Sequence, residues 1–317
     1  MALDGMYVAN ISGFIITAMR RKLGPFLGIF ATNISDQIIE GDTVDMPVVA
    51  AEGEAVDLTT VGDDRSHADV SPEFATTKKQ LVLNHKPARG FFITPWEAAK
   101  AREGILTKSL ERKIDGIVNA VAKSIINNVL NLVTAANFAN SVTINPAAFD
   151  QGDVSKLRTL CDALQFDDEA GTLLINSLLH ESLREDGGIV NKSASGADTL
   201  NTGILPRLHG FDIMKNTRIP VAGGTPADEN LIGFAALPQA IAVGMRPLLA
   251  TEAYASLGLD QHGLGLAAEE ALADEDSSVC GTLTIWANSS TKTVYHCFES
   301  WFGSSIMDGN ALLRLKT

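Results

Sequence analysis

The chain has 317 residues, of which 45% are hydrophobic and 20% charged, and its formal net charge is −13 at pH 7. That length suggests one large domain or two modest ones, with apolar residues enough for a real core. The acidic balance excludes a high-affinity nucleic-acid binder, which needs a basic footprint.

Met1-Ala2-Leu3-Asp4-Gly5 has no basic n-region, so no secretory signal is read there. Residues 4–31 read as an arm built on a helix, with Val8, Ile11, Ile15 and Met19 at helical spacing. Ile11 to Met19 is apolar but too short to span a bilayer. The helix ends in Arg20-Arg21-Lys22, which suits the negative end of its dipole, and Gly24-Pro25 follows. The other role open to that cluster is a contact with nucleic acid or a scaffold.

From Gly41 the apolar period changes to two. Asp42-Thr43-Val44-Asp45-Met46-Pro47-Val48-Val49 reads as a strand, and Thr76-Thr77-Lys78-Lys79-Gln80-Leu81-Val82-Leu83 as its returning partner. Between them, Asp57 to Pro72 is polar and acidic. A two-stranded ribbon is marginal alone and exposes unpaired edges, so a neighbouring subunit is the expected cover.

Thr94 to about Thr134 predicts one helix of about 40 residues, roughly 60 Å long. Thr94 is placed to N-cap, Pro95 suits the first helical position, and Glu97 completes a capping box. Leu106, Leu110, Ile114, Ile117, Val118, Val121, Ile125 and Val129 form one apolar face. Lys113, Asp115 and Lys123 interrupt the sequence and exclude a membrane span.

Asn145-Pro146 ends that pattern, and residues 150–250 read as α/β. A helix face is expected at Val154, Leu157, Leu160, Cys161 and Leu164, a buried strand at Thr172–Asn176, and a further helix from Ser177. Residues 185–203 read as a surface loop. Strands follow at Gly210–Met214 and Leu231–Phe234, a turn at Gly223–Pro226, and a short helix at Pro238–Val243. Near the end, Val279, Gly281, Leu283 and Ile285 alternate against Cys280, Thr282, Thr284 and Trp286. A two-residue turn at Asn288-Ser289 would pair Leu283 with Val294 and set Cys280 opposite Cys297. In a reducing cytoplasm, the expected place of synthesis, reduced thiols are favoured over a disulfide there.

Motifs for chemistry are missing. His67, His85, His180, His209, His262 and His296 are scattered, and no two have ligand spacing. His180-Glu181 lacks the second histidine of a zinc-protease helix, and no Walker loop or Gly-x-Ser-x-Gly elbow occurs. Gly263-Leu264-Gly265 is a weak partial match to a dinucleotide fingerprint. Asp63-Asp64 and Asp167-Asp168 sit in polar stretches and read as solvated surface. The three cysteines, Cys161, Cys280 and Cys297, have no metal spacing. No catalytic residue, cofactor or metal is expected.

An N-terminal arm, a long two-stranded loop, a long capped helix and an α/β region closed by a β hairpin occur in that order. This order resembles the major capsid protein of tailed bacteriophages, the Hong Kong 97 fold, over nearly the whole chain. Gly41-Asp42-Thr43-Val44-Asp45-Met46-Pro47 resembles the strand entering that family's E-loop. Gly210-Phe211-Asp212-Ile213-Met214-Lys215-Asn216-Thr217-Arg218-Ile219-Pro220 is similar to an A-domain strand of many coat proteins. Asn230-Leu231-Ile232-Gly233-Phe234, with Ala235 to Val243, resembles the strand and helix that come next.

The resemblance implies an α+β fold of this type. Its parts would be an N-arm (1–40), an E-loop ribbon (41–93), a P-domain spine helix (94–145) and an α/β A-domain (146–250). A P-domain hairpin (251–300) and a C-terminal strand (301–317) would complete it. The stretch 185–230 is too short for the inserted β domain of some members, and the loop 185–203 is a candidate contact at a capsomer centre. With the arm beginning near Met1, scaffolding is expected from a separate protein. The implied role is a coat protein forming hexamers and pentamers of an icosahedral shell around double-stranded DNA, assembled in the host cytoplasm. A portal is a further partner, and no membrane is involved. The acidic balance suits a lining that avoids gripping DNA. Asp57, Asp63, Asp64, Arg65, Lys78, Lys79, Arg20 and Arg21 are the candidate intersubunit contacts. The alternatives are an encapsulin-type nanocompartment shell, which packages an enzyme, and a soluble α/β enzyme.

Some capsids of this fold chain their subunits through Lys–Asn isopeptide bonds, which require a lysine on the reaching loop. Ala51 to Thr77 contains no lysine, and its one long cation is Arg65. Particles boiled in detergent with reductant are expected to run as a single band near 33.7 kDa. A reductant-resistant ladder would overturn this and point to Lys78 or Lys79 as donor.

Overall fold

The computed structural model describes residues 5–34, 43–49, 76–100, 105–164, 166, 171–186, 205, 207–219, 230–253, 265–274 and 276–317. Two helices open it, α1 (Gly5–Lys22) and α2 (Gly24–Leu27). Helix α3 (Pro95–Lys100) precedes the long helix α4 (Ile105–Leu130), and residues 101–104 lie outside the described residues. The predicted 40-residue rod is therefore seen as a short capped helix and a 26-residue helix, the latter about 40 Å long. The capping box forms as read. The Glu97 N–H donates to Thr94 Oγ1 at 3.2 Å, and the Thr94 N–H donates to the Glu97 carboxylate at 3.0 Å. Helix α4 stops at Leu130, short of Thr134, because the chain tightens. The Leu132 and Val133 N–H groups donate to the carbonyls of Val129 and Leu130, three residues back rather than four.

The apolar stripe of α4 is buried: Leu110, Ile114, Ile117, Val118, Val121, Ile125 and Val129 are 8% exposed or less. Each such side chain contributes about 1.5–3 kcal/mol on leaving water. Helix α1 lies along α4, and Ile11, Ile15 and Met19 are buried against the same core.

The described strands form four sheets. Strands β1 (Ala31–Ile34), β9 (Ile241–Arg246) and β13 (Trp301–Ile306) make one, with β9 central. Strands β2 (Thr43–Val49) and β3 (Thr76–Val82) pair antiparallel as the expected ribbon. Strands β10 (Ala268–Asp274), β11 (Val279–Asn288), β12 (Thr293–Glu299) and β4 (Ala88–Ile93) form an antiparallel sheet in that order. The fourth is mixed, in the order β5 (Ser141–Thr143), β14 (Leu312–Lys316), β8 (Leu231–Ala236), β6 (Thr172–Ile175) and β7 (Asp212–Lys215). Helix α5 (Gln151–Ala163) precedes β6 and α6 (Ser177–Glu185) follows it, with Asn176 capping α6 through its side chain. A short α7 (Ala250–Ala253) follows β9. On α5, Val154, Leu157 and Cys161 are buried but Leu160 is 42% exposed, so the apolar face is narrower than read.

Two readings are corrected. The expected helix over Pro238–Val243 is one 3-10 turn, Pro238–Ala240, running into β9. All six residues of β9 are buried, so the alternation that marks a strand with one wet face is lost. The hairpin register also differs. Asn288 pairs with Thr293, Leu283 with Phe298 and Thr284 with Cys297. The Asn288 side chain accepts from the N–H groups of Ser290 and Thr291, which builds a longer loop with Lys292 at φ 52°. Cys280 consequently faces Ala273, not Cys297, and all three cysteines are free thiols.

His296 sits on the buried face of this sheet, fully shielded and stacked on Phe91 at 4.7 Å between ring centroids. Burial first, and then the Lys113 ammonium, push its pKa down to about 4. The folded chain holds this ring neutral where an unfolded chain protonates it. Stability is therefore expected to fall as pH drops from about 6.5 to about 4, by on the order of 3 kcal/mol, and to level off for this group below that. Denaturant unfolding across this range checks it, and His296→Phe should lack the loss. An unchanged pH dependence in that variant would refute the assignment.

Candidate assembly interface

The sheet β10-β11-β12-β4 shows why one face of this molecule is unfinished. Its inner face carries Ile285, His296 and Phe91 in cross-strand register toward the helices. One residue along, the period of two puts Trp286, Tyr295 and Phe92 in register on the opposite face. Trp286 and Tyr295 stack at 5.5 Å with 7° between the planes, and Phe92 stands 5.9 Å from Tyr295. Within this ridge Phe92 is 51% exposed, while Trp286 and Tyr295 are half-buried. Partly exposed aromatics aligned across three strands suit a contact surface by composition.

The ribbon is the second feature. Among the described residues, β2 and β3 pair only with each other, so both outer edges are free for another chain. Pro47, opposite Lys78, is a residue tolerated on such an edge because it has no N–H to donate. The root of the ribbon is fixed firmly. Leu81 and Leu83 are buried in a small cluster of their own with Ala242, against Ala31, Trp301 and Met307. Trp301 Nε1 donates to the Leu83 carbonyl at 2.9 Å, and the Arg246 guanidinium covers the Trp301 ring at 4.6 Å. His85 and Phe302 exchange two backbone hydrogen bonds, at 3.1 and 2.9 Å, and their rings stack.

Two glycines make this approach possible. Gly244 and Gly303 face each other across β9 and β13. A Cβ on Gly303 would stand 2.1 Å from the Val82 carbonyl oxygen, and one on Gly244 would stand 2.3 Å from Leu81 Cδ2. At its root the ribbon backbone lies directly against the backbone of β13.

Ion pairs hold α1 against this framework. Arg20 forms a two-point bond to Asp274, at 2.7 and 2.8 Å, and Ser277 also donates to that carboxylate. The Arg20 and Ser277 hydrogen bonds hold the Asp274 carboxyl down to about 2. Ser12 of α1 donates to Glu270. Arg21 reaches Asp115 of α4 at 2.8 Å.

The structure thus places Arg20 and Arg21 in pairs within the chain. Lys78 and Lys79 lie in β3, opposite Pro47 and Met46. Asp57, Asp63, Asp64 and Arg65 lie outside the described residues, as do His67, His262, residues 187–203 of the expected loop 185–203 and the expected turn at 223–226. The aromatic ridge was missed from sequence. Its signal is there, since Phe92, Tyr295 and Trp286 each sit in an alternating run, but recognising it needs the register that local reading misplaced. Burial pushes the Cys161 thiol up to about 12 and raises Cys297 too, which leaves neither poised as a nucleophile. Among the described residues, no three His, Cys, Asp or Glu side chains gather to hold a metal ion, and no helix is long and apolar enough to cross a membrane.

The ribbon clamp is open to a direct test. Gly303→Ala is expected to cost about 1–3 kcal/mol by forcing β3 and β13 apart, lowering the melting temperature of the full chain. A melting temperature unchanged from wild type would show that the ribbon does not cross as described.

No protein-family model matches this chain, and no curated protein matches it in sequence. Solved structures do match in shape. The capsid of Ralstonia phage GP4 aligns over 91% of this chain and 87% of its own, with a TM-score of 0.56 at 11% identity. The capsid of the cyanophage P-SCSP1u aligns over 92% and 87%, with a TM-score of 0.51 at 12% identity. The mature capsid of bacteriophage PhiM1 aligns over 91% and 85%, with a TM-score of 0.51 at 9% identity. The expected α+β architecture is borne out: the chain has the Hong Kong 97-type fold of phage capsid proteins.

Proposed function

We propose that this protein is a major capsid protein whose copies assemble into hexamers and pentamers of a closed icosahedral shell around double-stranded DNA. The observation that carries the reading is a fold shared with phage capsid chains over 91% of the sequence. Two surfaces support it, the ribbon with free edges and the aromatic ridge, because each is left open among the described residues and suits another copy of the chain. The work of such a protein is association, not turnover. The ribbon pairs its edges on an adjacent subunit, and many modest contacts multiplied by symmetry close the particle. Candidate contacts at the ribbon are Asp57, Asp63, Asp64, Arg65, Lys78 and Lys79. A separate scaffolding protein and a portal are the further partners this reading implies.

Negative-stain microscopy of the expressed chain is expected to show closed shells, and the nucleic-acid content of purified particles separates a genome shell from an enzyme-filled compartment. Removing residues 57–72 should leave a folded chain that makes no shells. Normal shells from the shortened chain would remove the ribbon from the assembly mechanism. A small discrete oligomer from the full-length chain would overturn the shell reading itself.

A further inference from the structure

A cleft of about 350 Å³ opens where the C-terminal end of α1, the middle of α4 and the exit from β7 meet. Its floor is apolar and sealed. Phe26, Ala122, Ile126 and Leu174 line it, and each is 9% exposed or less. Its rim is cationic. Arg21 and Lys22 come from α1, Lys123 from α4, and Lys215 and Arg218 from β7 and its exit turn. Among the described residues, no aspartate or glutamate lines the cleft, in a chain whose net charge is −13.

The cations are poorly balanced within the chain. Arg21 and Lys22 share the single Asp115 carboxylate, at 2.8 and 3.6 Å. Lys123, Lys215 and Arg218 form no ion pair among the described residues. The platform that presents the last two is rigid. Asn216 N–H donates to the Ile175 carbonyl at 2.9 Å, and Asn216 Oδ1 accepts from the Arg218 N–H at 2.8 Å. The positive field reaches beyond the rim. His180 on α6 has its pKa lowered by burial first, and then by Lys215 and Arg184.

We infer that this cleft receives the phosphodiester backbone of nucleic acid. The inference rests on the shell reading, and it assigns this face to the inside of the particle. Cations arriving from three separate elements spread charge along an edge, which matches a line of phosphates. Asn119 and Thr217 add neutral donors beside them. An acidic peptide is the poorer occupant. A bound amphipathic segment needs an exposed apolar anchor point, and here the apolar floor is already covered by the protein itself. The acidic remainder of the chain keeps such binding local and weak, confining DNA contact to one strip.

The test uses the full-length chain as unassembled subunits and a short mixed-sequence DNA duplex, followed by fluorescence anisotropy between about 50 and 200 mM salt, where counterion release is read directly. Binding is expected to weaken with salt at a log–log slope of about −3 to −4, from roughly four unbalanced charges. The variant Lys123→Gln/Lys215→Gln/Arg218→Gln should bind roughly tenfold or more weakly, with the slope reduced by about 2–3. Its thermal melt should match wild type, as should duplex binding by Lys156→Gln, which alters an exposed lysine outside the cleft. Should the triple variant not fold, Lys123→Glu alone is expected to weaken binding in the same direction. Wild-type-like binding by a folded cleft variant would overturn the site. Poly-glutamate binding as tightly as the duplex would overturn the nucleic-acid assignment. Microscopy of the same protein after assembly keeps the two ideas apart. Subunits that bind no duplex before assembly yet go on to form shells refute the cleft alone, whereas a small oligomer that binds duplex and never forms shells refutes the shell reading.

Discussion

One buried stripe on α4 is the constraint on which the rest of this structure depends. Ile114, Ile117, Val118, Val121, Ile125 and Val129 cannot all leave water against a single neighbour, because they wrap a third or more of the helix circumference. Helix α1 covers part of the stripe, and β4 and β12 approach it elsewhere. Charged flanks fix its details: Arg21 and Lys22 meet Asp115 on one side, and Lys113 reaches Glu97 and the Phe92 carbonyl on another. The same lysine thus ties the long helix to both the capping box and the strand that bears the aromatic ridge.

The ribbon follows a different logic. Two strands alone bury too little to stand unaided. Its root is anchored by a cluster separate from the main core, in which Leu81 and Leu83 pack against β9 and β13. The absence of side chains at Gly244 and Gly303 lets the backbones approach closely enough for those leucines to seat. The outer part of the ribbon then has no strand neighbour in the described chain. A firm root with open edges is the geometry of a reaching arm, whose missing contacts belong to a second subunit on the reading proposed here.

On the reading proposed here, the uneven charge suits a shell. The chain is acidic overall, residues 51 to 77 are acidic in sequence, and α1, α4 and β7 gather a cationic rim. Like-charged subunits repel at a distance and associate only where specific surfaces meet, which favours orderly addition over indiscriminate aggregation. On the same reading, the positive strip would let a packaged polyanion approach without binding it tightly.

Local patterns determined most of the elements. The capping box at Thr94 and Glu97, the apolar stripe of α4, the Ile11–Ile15–Met19 face of α1 and the strands of the ribbon were all legible, because each depends on neighbours within a few residues. The order of these parts also marked the fold. Local reading failed where both faces of an element are buried. Strand β9 has no wet face and so no alternation, and it was read as helix. It failed again at the turn after Asn288, where a side-chain cap lengthened the loop and moved every cross-strand partner by four positions. The aromatic ridge and the cationic cleft were out of reach altogether. Phe92 meets Tyr295, and Arg21 meets Lys215, only after some two hundred residues of chain have folded between them. The insertion of the C-terminal β14 between β5 and β8 is of the same kind. Sequence spacing fixes which face of an element is apolar, but which distant faces share a sheet edge or a cleft is chosen by packing of the whole chain, since no short stretch carries that energy alone.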